Sequence, residues 1–377
     1  MTTAVTRPET LREAFLGKRV LLTGHTGFKG AWLTIWLSNL GAHVTGFALP
    51  AEPRSLFAEA GINSFCRHIE GDLCARRAVV SLVAELAPDF IFHLAAQSLV
   101  RRGYREPQET FGTNVLGTAN VLEAVRLADR PCAVVIVTSD KCYENDGRTT
   151  PYGEGDRLGG RDPYSASKAA AEIVVSAYRA SYFPPERLED HGVALASARS
   201  GNVIGGGDWS EDRLLPDAIR ALERQQPISV RNPRSVRPWQ HVLDPLSGYL
   251  LLGSRLASGS PDDRASHCEA WNFGPDSSSA RTVADVIAET IRSWGTGSWR
   301  DASDASAPHE AAHLALSIDK ARQRLGWAPR WDFREAVGRT VTWYRLAQNA
   351  GERQQAELCL AQIREYANIA VGSGAPS

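Results

Sequence analysis

RVLLTGHTGFKGAWL, Arg19 to Leu33, decides how the rest of this chain is read. An apolar run, Val20, Leu21 and Leu22, breaks at Thr23 into glycine at every third position, Gly24, Gly27 and Gly30. Apolar residues then follow at helical spacing, so the pattern is a buried strand, a tight glycine turn and a helix. Glycines at such a turn let backbone N–H groups approach a pyrophosphate, and the N-terminus of the helix adds positive potential there. Taken alone, the triplet reads equally as a plain strand-to-helix turn, and His25 and Lys29 as solvated turn residues or as phosphate contacts.

Outward from this turn, apolar runs at 19–23, 43–49, 68–71, 90–94, 133–139 and 194–199 alternate with helical patterns at 27–40, 76–86, 110–127 and 164–182. That alternation builds a parallel sheet covered by helices on both faces, an α/β doubly wound fold. After Gly201 the texture changes: Gly205, Gly206, Gly207, Asp208 and Trp209 open a loop, and less regular segments follow. Helices are expected at 214–223, 282–294 and 333–345, a strand at 228–230 and a mobile loop at 298–308. The division is therefore 13–200 for the sheet domain, 201–345 for a smaller C-terminal lobe and 346–377 for a terminal helix and tail.

Of 377 residues, 43% are hydrophobic, enough for a large core, and the net charge of −1 gives no long-range field to recruit nucleic acid or an anionic membrane. No apolar run approaches membrane-spanning length and no secretory leader is evident at the N-terminus, so a cytoplasmic protein is expected. Six scattered cysteines without a CxxC pair suggest reduced thiols rather than a disulfide or zinc framework. Only five of the 42 Lys and Arg residues are lysines, and three of those five, Lys29, Lys141 and Lys168, fall in motifs.

Tyr164 and Lys168 stand four apart at the start of a helix, on one face, with the ammonium expected near the phenol. A phenol of pKa near 10 is a poor base at neutral pH, and a nearby cation favours the phenolate. The run 133–139 ends Val137-Thr138-Ser139-Asp140-Lys141, which places polar groups at the carboxyl edge of the sheet where ligands of such folds bind.

The set GHTGFKGAW, TSDKCYEN, LGGRDPYSASKAAAE, SARSGNVIGGGDW and RPWQHVLDPL resembles the extended short-chain dehydrogenases/reductases, within them the nucleotide-sugar 4,6-dehydratases of the cytidine-linked group, over about residues 13 to 345. The resemblance implies a Rossmann-type sheet, NAD as cofactor, CDP-glucose as small-molecule substrate and a homodimer. It implies a catalytic set of Ser139, Asp140, Lys141, Tyr164 and Lys168, with Asp140 as acid and Lys141, or a neighbour such as Glu144, as the base at C5. Cofactor contacts are expected from Gly24, His25, Gly27, Phe28, Lys29, Gly30, Asp72, Leu73, Leu94, Ala95 and Ala96, with Tyr164 and Lys168, while Asn114 supports the active-site helix. The run 43–49 lacks the acidic residue that usually binds an adenosine ribose, so NAD preference rests on the family alone.

Substrate contacts are expected from Gln97, Asn202, Arg213, Arg231, Arg237 and His309. Arg199 is a further candidate for the diphosphate, since the planar guanidinium matches phosphate oxygens, and Trp239, Gln240 and His241 are candidates either for the pocket or for packing. His309-Glu310-Ala311-Ala312-His313 formally matches the HExxH zinc signature, but it follows a Ser/Ala/Asp-rich stretch with no third ligand, and no metal is expected. Two other functions fit parts of the pattern: a 4-epimerase of the same fold, against which Asp140 argues, and a non-catalytic dinucleotide sensor, which would not need Ser139, Tyr164 and Lys168 together.

Overall fold

The computed structural model describes residues 8–276, 279–303 and 314–372. Seven parallel strands form the central sheet: β1 (Arg19–Thr23), β2 (His43–Ala48), β3 (Arg67–Glu70), β4 (Phe90–His93), β5 (Cys132–Val137), β6 (Val193–Ser200) and β7 (Ala270–Phe273). Their order across the sheet is β7-β6-β5-β4-β1-β2-β3, so the winding reverses between β1 and β4. Ligands of open α/β sheets bind at that switch point, beyond the carboxyl ends of the strands.

Except for the edge strand β3, the strands are buried on both faces because their apolar residues serve two cores in alternation. Val20 and Leu22 of β1, with Ala133, Val135 and Val137 of β5, face one core. Leu21, Val134 and Ile136 face the other. The first core is roofed by α1 (Phe28–Asn39), the second by α2 (Arg76–Leu86), α3 (Gly117–Ala128) and α4 (Pro163–Ser181).

Helix 110–127 is expected from the sequence as one piece, but the chain forms a short helix (Pro107–Phe111), a π-helical turn (Gly112–Leu116) and then α3. A wide turn of this kind re-aims one side chain, here the buried Asn114. The division at residue 200 also misses a return to the sheet. The helix α5 (Leu243–Ala257) is apolar nearly all round and lies in the first core, and β7 pairs with β6 from Ala270↔Ser197 to Phe273↔Ser200. Such a helix shows no amphipathic stripe.

Among the smaller elements, Leu214–Glu223, Ile228–Val230, Val283–Trp294 and Phe333–Ala347 fall where the sequence places them. The expected loop at 298–308 instead begins with a strand, Trp299–Asp301, paired in parallel with Ile228–Val230. The helix α6 (Glu352–Gly372) packs back on the first core: the Tyr366 hydroxyl donates to Asp244 at 2.7 Å, and its ring meets Trp36 and Trp331 edge-on.

Candidate active site

At the carboxyl edge of the sheet a cavity of 1110 Å³ runs from the glycine turn, past the ends of β4 and β5, to the loops beyond β6. Gly24, Gly27, Phe28, Lys29 and Gly30 line its head. Gly24 has φ +76, and a Cβ there would lie 2.6 Å from the backbone nitrogen of Ala95. A Cβ at Gly30 would lie 2.1 Å from the Gly24 carbonyl oxygen, whereas one at Gly27 meets only that oxygen, at 3.4 Å. Gly24 and Gly30 thus let β1, α1 and the end of β4 close on each other, and Gly27 stays exposed toward the cavity.

Neither charged neighbour of the cradle is a solvated turn residue. His25 is fully buried beneath it, outside the cavity lining, with Nε2 2.6 Å from His68 Nδ1; burial and His68 hold its pKa down at about 4. Lys29 faces the cavity, and its ammonium donates to Ser200 Oγ at 2.8 Å and to the Tyr249 hydroxyl at 3.4 Å. Burial, then Arg213 and Lys168, lower its pKa to about 7.

Asp72, Leu73, Leu94, Ala95 and Ala96 line the same end of the cavity. Asp72 caps a turn, its Oδ1 accepting the Cys74 N–H at 2.8 Å. β2 ends at Ala48 with Leu49 exposed beyond it, so the adenosine end carries no acid on that strand.

Local capping sets the catalytic geometry. Asp162 caps α4 by accepting the Ser165 N–H at 3.0 Å, and Pro163 occupies the first turn, where its missing donor costs nothing. Tyr164 therefore sits in the first turn and Lys168 one turn further, both buried and both facing the cavity. Asn114 steadies this helix: its Nδ2 donates to Ser167 Oγ at 2.8 Å and to the Gln97 carbonyl at 3.0 Å.

The expected assistance from Lys168 to Tyr164 takes a different form. The Lys168 ammonium donates to the Val137 carbonyl at 3.5 Å, and burial lowers its pKa to about 8. Burial raises the Tyr164 phenol to about 12, opposed by a hydrogen bond with Ser139 and by the charge of Arg213. Burial is thus the largest influence on both groups, raising the phenol and lowering the ammonium. The low-dielectric surroundings, which sequence spacing does not reveal, outweigh helix geometry.

Past β5 the chain turns sharply, Ser139 Oγ accepting the Lys141 N–H at 3.2 Å. The same hydroxyl donates to Asp140 Oδ1 at 2.9 Å, and the Lys141 ammonium lies 3.4 Å from that oxygen and 3.4 Å from Asn202 Oδ1. Asp140 is buried. Glu144 does not line the cavity; its carboxylate pairs with the exposed Arg157 at 3.6 Å.

Asn202, Arg213, Arg231 and Arg237 line the far end, as does Trp239. Arg213 pairs with Asp208 at 2.9 Å and donates to Ser98 Oγ at 3.2 Å, and Arg231 pairs with Asp212. Gln97 also lines the wall, but its amide is committed to the Leu99 backbone and the Thr110 hydroxyl. Arg199 is not at the cavity: it is buried in an ion pair with Glu172, 2.9 Å away. Gln240 and His241 are packing residues, the former donating to the Phe273 carbonyl and the latter set edge-on to Trp32 and Trp331. His309 and the whole HExxH match lie outside the described residues, among which no group of three or more His, Cys, Asp or Glu could hold a metal ion. Ser200 and Tyr249, which hold Lys29, went unread in the sequence, and nothing in their spacing marks them.

The sheet order, the glycine turn at its switch point and the Ser-Tyr-Lys set at one edge define a short-chain dehydrogenase/reductase of the extended type. The chain belongs to the GDP-mannose 4,6 dehydratase family, whose model matches residues 21–340. It is 47% identical over 331 residues, 87% of this chain and 91% of the relative, to a CDP-glucose 4,6-dehydratase of Salmonella typhimurium. A dTDP-glucose 4,6-dehydratase of Xanthomonas campestris is 27% identical over 87% of this chain and 93% of its own length. A solved double mutant of a dTDP-glucose 4,6-dehydratase from Streptomyces venezuelae, with NAD and DAU bound, superposes with a TM-score of 0.73 at 25% identity, covering 88% of this chain and 97% of the other.

Proposed function

We propose that this protein is a CDP-glucose 4,6-dehydratase that uses NAD to convert CDP-glucose into CDP-4-keto-6-deoxyglucose and water. The observation that carries the reading is the Asp140–Lys141 pair, an acid and a base side by side, with Lys141, Ser139 and Tyr164 lining the cavity and Asp140 buried directly behind them, bonded to Ser139 and Lys141. An oxidoreductase or an epimerase has no need of that pair.

The cradle fits a dinucleotide: a bare, exposed glycine faces the cavity at the N-terminus of α1, between two glycines that close the turn. Gly24, Gly27, Phe28, Lys29 and Gly30 would hold the pyrophosphate, and Asp72, Leu73, Leu94, Ala95 and Ala96 the rest. When bound, NAD supplies a hydride acceptor for C4 and a hydride donor for C6.

The chain's own residues move the protons. Tyr164 acts once ionised, with Ser139 and the charge of Arg213 opposing the burial that raises its phenol. The phenolate takes the proton of the 4-hydroxyl, and the resulting ketone acidifies C5–H. Lys141 removes the C5 proton, since Glu144 is turned out toward Arg157. Asp140 protonates the departing 6-hydroxyl. Lys141 returns a proton to C5 as C6 is reduced, and the proton that Tyr164 takes from the 4-hydroxyl balances the one that leaves with the water, so the proton count closes over the cycle. Arg213, Arg231, Arg237 and Asn202 hold the nucleotide diphosphate, so the lobe after residue 200 is mainly substrate-binding.

Deuterium at C4 of CDP-glucose is expected at C6 of the product; release of the label to solvent refutes the reading. Turnover of CDP-, dTDP-, GDP- and UDP-hexoses, compared side by side, tests the base preference.

The protein is read as a cytoplasmic homodimer. Its described cysteines are free thiols and none of its described helices is long and apolar enough to cross a membrane. Leu116 and Ile173, 62% and 58% exposed, lie with Phe111, Leu127 and Tyr182 on and beside α3 and α4, an apolar surface suited to a second copy.

A further inference from the structure

Glu172 stands one helical turn beyond Lys168 on α4, therefore on the same face, and is buried. Three donors from two strands converge on its carboxylate: the Thr138 hydroxyl, the Ser197 hydroxyl at 2.8 Å and the Arg199 guanidinium at 2.9 Å. The pair is closed to solvent, the side chains of Arg199 and Glu172 being 4% and 3% exposed. Arg199 is fixed in turn, donating to the Tyr143 hydroxyl at 2.8 Å, and Tyr143 donates to Asn272 at 2.8 Å.

Neither Glu172 nor Arg199 lines the cavity, so the proposed reaction gives them no direct part. Taking two charges out of water is costly, and a well-packed apolar pair often serves stability as well or better. What the ion pair adds is a fixed negative charge beside a catalytic lysine. We propose that Glu172 is a positioning residue for the dehydratase reaction: its carboxylate holds the proton on Lys168, and Arg199 keeps that carboxylate ionised. This rests on the reading of Lys168 as part of the catalytic set.

The surroundings of Lys168 support the assignment. Lys29 faces it from α1 and His93 from β4, both coupled to it by charge; Cys142, a thiol held neutral by burial, lies beyond β5; Tyr164 and Glu172 share its helix. Burial drives its pKa down to about 8, and the largest opposing influence is Glu172. Burial also pushes the Glu172 carboxyl up, but Arg199 and the two hydroxyls outweigh it, so the group lies below the ordinary range and stays charged.

The test is the pH dependence of kcat with CDP-glucose for the full-length enzyme, Glu172→Gln and the double variant E172Q/R199M. Removing the carboxylate alone leaves Lys168 beside an unopposed guanidinium, so the alkaline limb of kcat is expected to move down by at least about one pH unit. The double variant removes both charges and leaves no unpaired buried ion, which keeps it folded; its limb is expected between those of E172Q and wild type. A limb unmoved in either folded variant, a loss of equal size at every pH, or a double variant shifted as far as the single one overturns the proposal. Wild-type turnover of CDP-glucose in the same series tests the activity separately, so failure of the one is not confused with failure of the other.

Discussion

The three cradle glycines do different work, and alanine separates them. At Gly30 a Cβ would lie 2.1 Å from the Gly24 oxygen, 2.7 Å from His25 Cα and 2.8 Å from the Gly24 carbonyl carbon, all backbone. Reaching van der Waals contact at about 3.4 Å means parting turn and helix by more than 1 Å. Both sides resist: the Gly24 N–H donates to the Phe47 carbonyl at 2.9 Å, and the Gly30 carbonyl accepts the Thr34 hydroxyl at 2.8 Å. Overpacking costs about 1–3 kcal/mol, here near the top of that range because no flexible side chain can yield. At roughly 1.3 °C per kcal/mol for a chain of this length, Gly30→Ala should melt about 3–4 °C below wild type without ligand. Gly27→Ala meets nothing closer than 3.4 Å at an ordinary φ of −79, so its ligand-free melting should change little. Its methyl group stands where the diphosphate approaches, and a loss of about 1.4 kcal/mol or more lowers NAD affinity about tenfold or more. Differential scanning calorimetry and isothermal titration with NAD measure the two effects. A Gly30→Ala protein melting within about 1 °C of wild type, or a Gly27→Ala protein binding NAD undiminished, refutes this reading of the turn.

Tyr164→Phe should lower turnover by about 10²–10⁴ while leaving NAD binding in place; retained turnover would remove the phenol from the mechanism. Lys141→Arg keeps the charge beside Asp140 but cannot release its proton at working pH, so exchange of the substrate C5 hydrogen with solvent deuterium should stop, as followed by NMR. Burial lowers Lys29 to about 7 in the folded protein, against about 10.5 for a free lysine, so between these values the unfolded chain holds the extra proton. Stability from this group is therefore lowest below pH 7 and rises as pH is raised through that window, and thermal melts of ligand-free Lys29→Met should show a shallower rise with pH than wild type. Leu116→Asp, at a residue 62% exposed, should yield a monomer in sedimentation velocity; an unchanged dimer would move the interface elsewhere.

The sheet was legible because parallel strands buried on both faces leave largely apolar runs, as β1, β2, β4, β5 and β6 do, while the exposed edge strand β3 shows only by its place in the alternation. The seventh, Ala270–Phe273, is four residues long and follows a helix, α5, whose apolar residues run all the way round. Without a stripe or a turn signal, that return to the sheet has no local mark. Ser139, Asp140, Lys141, Tyr164 and Lys168 could be read because chain order and helical spacing put them together. Charge balance could not: Arg199 looked like a phosphate ligand by its position at the end of β6, yet it is spent on Glu172, and the burial that raises the Tyr164 phenol and lowers the Lys168 ammonium leaves no trace in their spacing. Pairings across 27 residues or more follow from tertiary packing. Glu172 was the exception that spacing might have found, four residues past Lys168 on one helix face.

The same balance explains an oddity of composition. With five lysines among 42 basic residues, this chain uses arginine wherever a fixed charge suffices, and at the lobe end of the cavity Arg213 and Arg231 are paired with Asp208 and Asp212. Their charge is permanent, so it needs a standing carboxylate until phosphate takes its place. At the catalytic end the cations are Lys29, Lys141 and Lys168, and two of the three have pKa values brought down to about 7 and 8 by burial. Crowded guanidinium groups can only repel one another, whereas a crowded ammonium can release its proton. Lys29 and Lys168, brought down by burial, can therefore shed charge where a guanidinium could not.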